Sequence, residues 1–213
     1  IYMSPIKEPN FFSQADMRSD LFVDNYRKSI SINLNRYLKG SMRKTIHIAN
    51  VETWDNYLKL FKNVRDERII GEASNSYLFC PSAAKQISRR LPDAKIMMIL
   101  RNPIERAWSH YLMNKKLGYR VNKVFLDEFL HDSSINPRGW GITANYRDIG
   151  MYAQQLKNFL LFFPTRQIKM IIYDDFRSAP LETLRDVFKF LDVDPNYKYN
   201  TNIKKKNITQ KEK

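Results

Sequence analysis

The hydrophobic residues of this chain follow two different patterns. Continuous apolar runs at residues 95–100 and 168–173 are typical of strands buried on both faces of a parallel sheet, and residues 68–73 predict a further short strand. Between these strands, apolar residues recur every three or four positions, as they do in amphipathic helices. The predicted helices cover residues 81–91, 103–117, 146–163 and 180–191.

Strands that alternate with amphipathic helices predict an α/β fold with three layers, in which helices flank a central parallel sheet. Earlier in the chain, we expect helices within residues 20–38 and 53–61, the second capped by Thr53. Residues 1–12 contain two prolines and predict a loop that docks on the core.

Composition narrows the classes of protein to which the chain can belong. The chain of 213 residues has no internal repeat or linker, which predicts a single domain, and its apolar runs end well before the roughly 18 residues that a membrane span requires. Lysine and arginine outnumber aspartate and glutamate by 36 to 22, and the resulting charge of +14 attracts phosphates, sulfates, acidic glycans and nucleic acids alike. Because no helix-turn-helix, aromatic RNA-binding motif or zinc finger is visible, we expect no nucleic acid partner.

The cysteine and histidine content argues against disulfides and metal chemistry. Cys80 is the single cysteine, so no internal disulfide can form, and we interpret it as a small buried thiol. The histidines at positions 47, 110 and 131 have no ligand spacing, so we expect no metal centre.

The turn between the strand at 95–100 and the following helix predicts an anion site. Asn102 suits the N-cap, Pro103 the first helical position, and Glu105 completes a capping box, so a helix N-terminus points its N–H groups toward the sheet edge. Arg101 adds a guanidinium fork, and Ser109 lies two turns along the same helix face. Taken alone, Arg101 is more typical of a surface salt bridge and Ser109 of a hydroxyl that bonds its own backbone; together they favour a phosphate ligand.

Five segments resemble the sulfotransferases that use 3′-phosphoadenosine 5′-phosphosulfate (PAPS). Residues 101–111, RNPIERAWSHY, are similar to the segment in which that family holds the 3′-phosphate with an arginine and a serine eight positions later. Residues 1–12 resemble the segment after the family's first helix, and residues 71–77 its second core strand and loop. Residues 162–164 and 171–176 match a helix and a strand of its C-terminal half.

The resemblance implies a nucleotide-kinase-like fold and direct transfer of a sulfuryl group from PAPS to a hydroxyl or amine, with a carbohydrate as the expected acceptor and no metal. Glu8 occupies the Glu-x-x-Phe-Phe position of the catalytic base in heparan-type sulfotransferases, and Lys7 beside it would assist charge stabilisation. The alternative for Glu8 is a loop carboxylate that pairs with Lys7. Arg101 and Ser109 would bind the cofactor, and Ser74 follows a strand at the edge where nucleotide or acceptor binds.

The resemblance also implies that the domain is incomplete. The family's glycine-rich phosphosulfate loop with its lysine would precede Ile1, and no such motif occurs within residues 1–213. Near the end, Lys204, Lys205 and Lys206 stand where a basic loop closes over the 3′-phosphate, and a flexible basic tail is the alternative reading. The compartment would be the cytoplasm in a bacterium and the Golgi lumen in a eukaryote.

Two other functions remain open at this point. One is a non-catalytic module of the same fold that recognises a 3′-phosphonucleotide or an acidic polymer. The other is phosphoryl transfer, whose only support is the pair Asp174 and Asp175 at a strand end. Tyr77 and Trp108 are candidates for stacking on adenine, although aromatic residues at such positions more often belong to the core.

Overall fold

The computed structural model describes residues 1–119, 124–132, 139–141 and 145–197 as an α/β fold. The strands are β1 Tyr2–Met3, β2 Ile6–Glu8, β3 Ile46–Ile48, β4 Ile70–Gly71, β5 Ile96–Leu100 and β6 Ile168–Ile172. The α-helices are α1 Asp24–Ile30, α2 Leu34–Lys39, α3 Trp54–Lys59, α4 Ser76–Phe79, α5 Pro81–Arg90, α6 Pro103–Lys116, α7 Phe125–Asp132, α8 Tyr152–Leu160, α9 Tyr173–Ser178 and α10 Pro180–Leu191.

The strands form three parallel pairs. β1 pairs with β4, β2 with β3, and β5 with β6 along five residues from Ile96↔Ile168 to Leu100↔Ile172. Parallel pairing with intervening helices confirms the predicted α/β class. It also brings the carboxyl ends of the paired strands to the same edge, where loops and helix N-termini can form a site.

The first segment of the chain corrects one prediction. Residues 1–12, which we expected to form a docking loop, contain β1 and β2. Their two and three residues are too short to show a strand period, and they are strands only because β4 and β3 pair with them. The sequence pattern also did not indicate β3, although its hydrogen bonds to the β2 region, such as Ile46 N to Pro5 O at 2.9 Å, are regular.

Helix boundaries differ from the prediction at two places. The helix expected at 146–163 begins at Tyr152, after a single 3₁₀ turn at Asp148–Gly150, and the region 20–38 divides into α1 and α2. The helices α5, α6 and α10 lie within one residue of their predicted bounds, since each has proline at its first turn.

The main core lies between the β2 region and the helices α5 and α8. Ile6, Leu60 and Cys80 have no exposed surface, and Phe163 is 2% exposed. Cys80 is therefore the buried thiol that we predicted, and burial raises the pKa of its thiol.

One face of β5 departs from the expectation that both faces are covered. Met98 packs into the main core, and Ile171 of β6 packs against Val187 of α10. Met97 and Ile99 on β5 are 46% and 59% exposed. Within the described residues, the helices thus cover the two faces of this strand pair unevenly.

Candidate functional site

The site is built around Glu8, the last residue of β2. Strand alternation turns Ile6 and Glu8 inward and Lys7 outward, so Glu8 is a buried carboxylate with 7% exposure. Burial raises the pKa of Glu8, whereas Lys7 and His47 oppose that rise. The Lys7 Nζ lies 3.6 Å from Glu8 Oε1. The predicted pair of Glu8 and Lys7 is therefore in contact, with the lysine at the solvent side.

The turn after Glu8 is tied to the end of β4. Asn10 has a left-handed backbone with φ of 52°, and its backbone N–H donates to Ser74 Oγ at 3.1 Å. The Ser74 hydroxyl donates in turn to Glu72 Oε2 at 2.9 Å. A second link runs from Ser76 Oγ to Asn10 Oδ1 at 2.7 Å. These bonds hold the loops after β2 and β4 against each other.

Glu72 is a partly buried carboxyl group that follows β4 directly. The hydroxyls of Ser74, Tyr57 and Tyr77 donate to it and favour its ionised form. Desolvation outweighs these bonds, and the charge of Glu8 adds to it, so the pKa of Glu72 is raised to about 7. We did not place Glu72 among the site residues; the signal available was its position immediately after a strand, at the edge where parallel sheets bind ligands.

A cavity of about 550 Å³ is lined by Glu72 and by Lys7, the ion-pair partner of Glu8. Lys7, Arg43 and Glu72 contribute its charged lining, and Tyr2 and Met3 part of its apolar lining. The volume suits a ligand of the size of a sugar unit or larger. Arg43 is a further basic residue that sequence reasoning missed, because it lies in a loop without a recognisable motif.

The α6 turn forms a second group of predicted residues. Asn102 Oδ1 accepts from the backbone N–H groups of Ile104 at 3.0 Å and Glu105 at 3.2 Å, which confirms the N-cap. Glu105 does not complete the expected capping box; its Oε2 accepts instead from Arg101 Nε and Nη2, at 3.2 and 3.1 Å. The Arg101 guanidinium also lies 5.3 Å from the Tyr173 ring centroid.

These contacts correct the prediction that the N–H groups at the start of α6 are free to bind an anion. Two of the helix N–H groups that we expected to face an anion are occupied by the cap, because a side-chain acceptor satisfies them locally. The ion pair of Arg101 and Glu105 is partly exposed, and pairs of this kind contribute about 0–1 kcal/mol. A phosphate group could therefore displace Glu105 from the guanidinium at little cost.

The structure thus places the predicted residues in two groups. Glu8, Lys7 and Ser74 meet around Glu72, while Arg101 and the partly buried Ser109 lie on the α6 side. Lys204, Lys205 and Lys206 lie outside the described residues.

The two candidates for adenine stacking have aromatic partners within the protein. Tyr77 packs edge-on against Phe12, with ring centroids 5.6 Å apart, and its hydroxyl accepts from Phe12 N. Trp108 stacks on Tyr111 and remains 39% exposed. Of the two side chains, Trp108 thus leaves more surface open to a ligand.

Metal sites and membrane-spanning helices would indicate other classes of protein. Residues 1–119, 124–132, 139–141 and 145–197 contain no group of three His, Cys, Asp or Glu side chains arranged for a metal ion. Across the same ranges, every helix falls short of the length and apolarity needed to span a membrane.

Comparison with known proteins identifies the family. The model of the sulfotransferase family matches residues 10–197. The crystal structure of a sulfotransferase from Alicyclobacillus acidocaldarius superposes with a TM-score of 0.78 at 31% identity, covering 96% of this chain and 76% of that one. This similarity confirms the predicted sulfotransferase fold.

Curated relatives include heparan sulfate enzymes. The bifunctional heparan sulfate N-deacetylase/N-sulfotransferase 1 of Caenorhabditis briggsae is 31% identical over 160 residues, which are 70% of this chain and 18% of that protein. The heparan sulfate glucosamine 3-O-sulfotransferase 6 of Mus musculus is 27% identical over 63% of this chain and 38% of its own length. The chain thus spans less than half of these two relatives. Since the family model matches most of its length, this chain belongs to the sulfotransferase family.

Proposed function

We propose that this domain transfers a sulfuryl group from PAPS to a hydroxyl or amine of a carbohydrate, with Glu8 as the base. The observation that carries the proposal is a buried carboxylate, Glu8, at the end of a parallel strand, whose ion-pair partner Lys7 lines a basic cavity together with Arg43. In a chain of this family, such a group is suited to accept the proton that the acceptor loses.

The α6 side fits the 3′-phosphate of the donor. Arg101 offers a fork of N–H donors whose partner Glu105 is exposed, and Ser109 offers a hydroxyl on the same helix. When bound, PAPS supplies the activated sulfuryl group. The work of the chain is to hold the donor by its phosphate and to keep the acceptor beside Glu8.

Glu8 is suited to its role by its surroundings. Burial disfavours its charge, which raises its pKa and makes it a stronger base than an exposed glutamate, while the charges of Lys7 and His47 oppose that rise. Lys7 also places a positive charge on the lining of the cavity. That charge can stabilise the negative charge on the oxygens of the sulfuryl group during transfer.

The acceptor class follows from charge and from the relatives. The formal charge of +14 favours an acidic polymer, and the relatives named above are heparan sulfate enzymes. A glycan with carboxylate or sulfate groups is therefore the acceptor that we propose.

The test measures transfer of radioactive sulfate from labelled PAPS to desulfated heparan polysaccharide. We expect Glu8→Gln to lower turnover at least about 100-fold, the usual contribution of a general base, while affinity for 3′-phosphoadenosine 5′-phosphate stays unchanged. Glu52→Gln makes the same change at an exposed carboxylate and should leave turnover intact.

Two results would contradict the proposal. Unchanged turnover in Glu8→Gln would remove Glu8 from the role of base. Tight binding of the nucleotide without transfer to any glycan would instead identify a non-catalytic module of the same fold.

A further inference from the structure

The turn that follows Glu8 is held by a second carboxyl group. Glu72 accepts from the Ser74 hydroxyl, and Ser74 accepts from the backbone N–H of Asn10, two residues after Glu8. Ser74 Oγ thus has a partner on each side within the protein. The chain of bonds from Glu72 to the turn after Glu8 is short and uses partly buried groups.

The left-handed backbone of Asn10 makes this turn dependent on its partners. A φ of 52° is unfavourable for a residue other than glycine, and the surrounding bonds must hold it. Asn10 N, Asn10 Oδ1 and Asn10 O all have partners, of which Ser74 is the one linked to Glu72. A change at Ser74 or Glu72 is therefore transmitted to Asn10, two residues after the base.

We propose that Glu72 is a positioning residue for Glu8: through Ser74 it fixes the turn that follows the base, and the charge of Glu8 acts on it. This rests on the proposed function for the role of Glu8. The two carboxyls are thus linked both by the hydrogen bonds through Ser74 and by the repulsion of Glu8, which raises the pKa of Glu72. Glu72 does not contact the reacting atoms in this proposal.

The two carboxyls differ in the charges around them. Lys7 and His47 act on Glu8 and favour its charged form, whereas Glu72 receives only neutral hydroxyl donors and the repulsion of Glu8. Burial raises the pKa of Glu72 to about 7, above the ordinary range for glutamate. The titratable and charged groups that face the two carboxyls are Lys7, Tyr26, Arg43, His47, Tyr57 and Tyr77.

The first test is carboxyl NMR of the whole chain labelled with ¹³C at the glutamate side chains, recorded from pH 4 to 9. We expect one glutamate to titrate near neutral pH, and Glu72→Gln to remove that signal. Glu8→Gln should lower the midpoint of the remaining signal by about half a unit to one unit, because the repelling charge is gone. A signal near neutral pH that survives Glu72→Gln, or a midpoint that Glu8→Gln leaves in place, would overturn the proposal.

This test separates the present inference from the proposed function. It requires no donor and no acceptor, so the carboxyl pair can be present in a chain that transfers nothing. Conversely, transfer that depends on Glu8 without a shifted Glu72 would retain the function and reject the pair.

The second test asks whether Ser74 acts through position. Ser74→Ala should lower kcat at least about tenfold, since small displacements of a catalytic group are costly, and leave the KM for PAPS unchanged. Ser74→Thr retains the hydroxyl and should restore most of the rate. The matched control is Ser88→Ala, which removes an exposed hydroxyl bonded only to Lys85 O of its own helix.

Two other kinetic results for the Ser74 variants would reject the inference. A raised KM for PAPS with unchanged kcat would make Ser74 a contact of the nucleotide, as the sequence resemblance suggested. Equal loss in the alanine and threonine variants would mean that the hydroxyl is not the group that matters.

Discussion

At the level of single residues, Arg101 can bind either a neighbouring carboxylate or a ligand phosphate. Arg101 is held by Glu105 and lies against the ring of Tyr173, which is the surface salt bridge that its isolated sequence position predicts. That pair is exposed and weak, whereas a phosphate dianion offers more charge and two oxygens in the geometry of the guanidinium fork. Arg101 can thus be preorganised by Glu105 for a stronger ligand.

We therefore expect Arg101→Ala to weaken binding of 3′-phosphoadenosine 5′-phosphate by about 1.5–3 kcal/mol, the usual loss for a charged hydrogen bond. Calorimetric titration measures this difference. Arg68→Ala is the matched control, because Arg68 is also an exposed arginine in an ion pair, with Asp192. Equal affinities of Arg101→Ala and the unaltered chain would exclude Arg101 from the nucleotide site.

At the level of elements, the start of α6 depends on one cap. Asn102 Oδ1 satisfies two backbone N–H groups that would otherwise have no partner in the helix, and Pro103 follows with its ring already in helical geometry. Because Arg101 immediately precedes the cap, the direction of the helix start also sets where the guanidinium lies.

Asn102→Ala should lower the free energy of unfolding by about 1 kcal/mol, the typical cost of losing an N-cap acceptor. Asn102→Asp keeps an acceptor at this position and should cost only a few tenths of that amount. Urea unfolding of both variants provides the measurement. Equal stability of the alanine and aspartate variants would show that the cap contributes nothing to this helix.

For the whole molecule, Glu72 links folding to pH. Its pKa is raised to about 7 in the folded chain from the ordinary 4.5, so the folded state binds the proton more tightly than the unfolded state does. The stability associated with this proton is complete below about pH 4.5 and is lost as the pH rises through 7.

Glu72→Gln should therefore become more stable relative to the unaltered chain as the pH rises from 5 to 8. Unfolding by urea at several pH values measures the difference. In Glu67→Gln, by contrast, the difference should stay constant over this range, because hydrogen bonds lower the pKa of Glu67 and keep it ionised throughout. A difference for Glu72→Gln that does not change with pH would mean that this carboxyl is not buried enough to retain its proton.

Sequence reasoning located the α6 turn correctly because its signals are local. The cap, the proline and the arginine lie within five residues, and no distant part of the chain is needed to place them. It failed for β1, β2 and β3, since strands of two or three residues carry no period and exist only through their partners. Glu8 was singled out by resemblance, not by pattern.

By itself, the sequence determined the α/β class, the helices with proline at their first turn, the N-cap of α6 and the basic character of the molecule, because each of these depends on neighbouring residues or on composition. Only the tertiary structure decided that Glu8 is buried, that Glu72 lies within reach of its charge, and that Ser74 joins the two loops. These contacts join residues more than sixty positions apart. Their pKa values depend on burial and on the distance between charges, and neither quantity exists until the strands have paired.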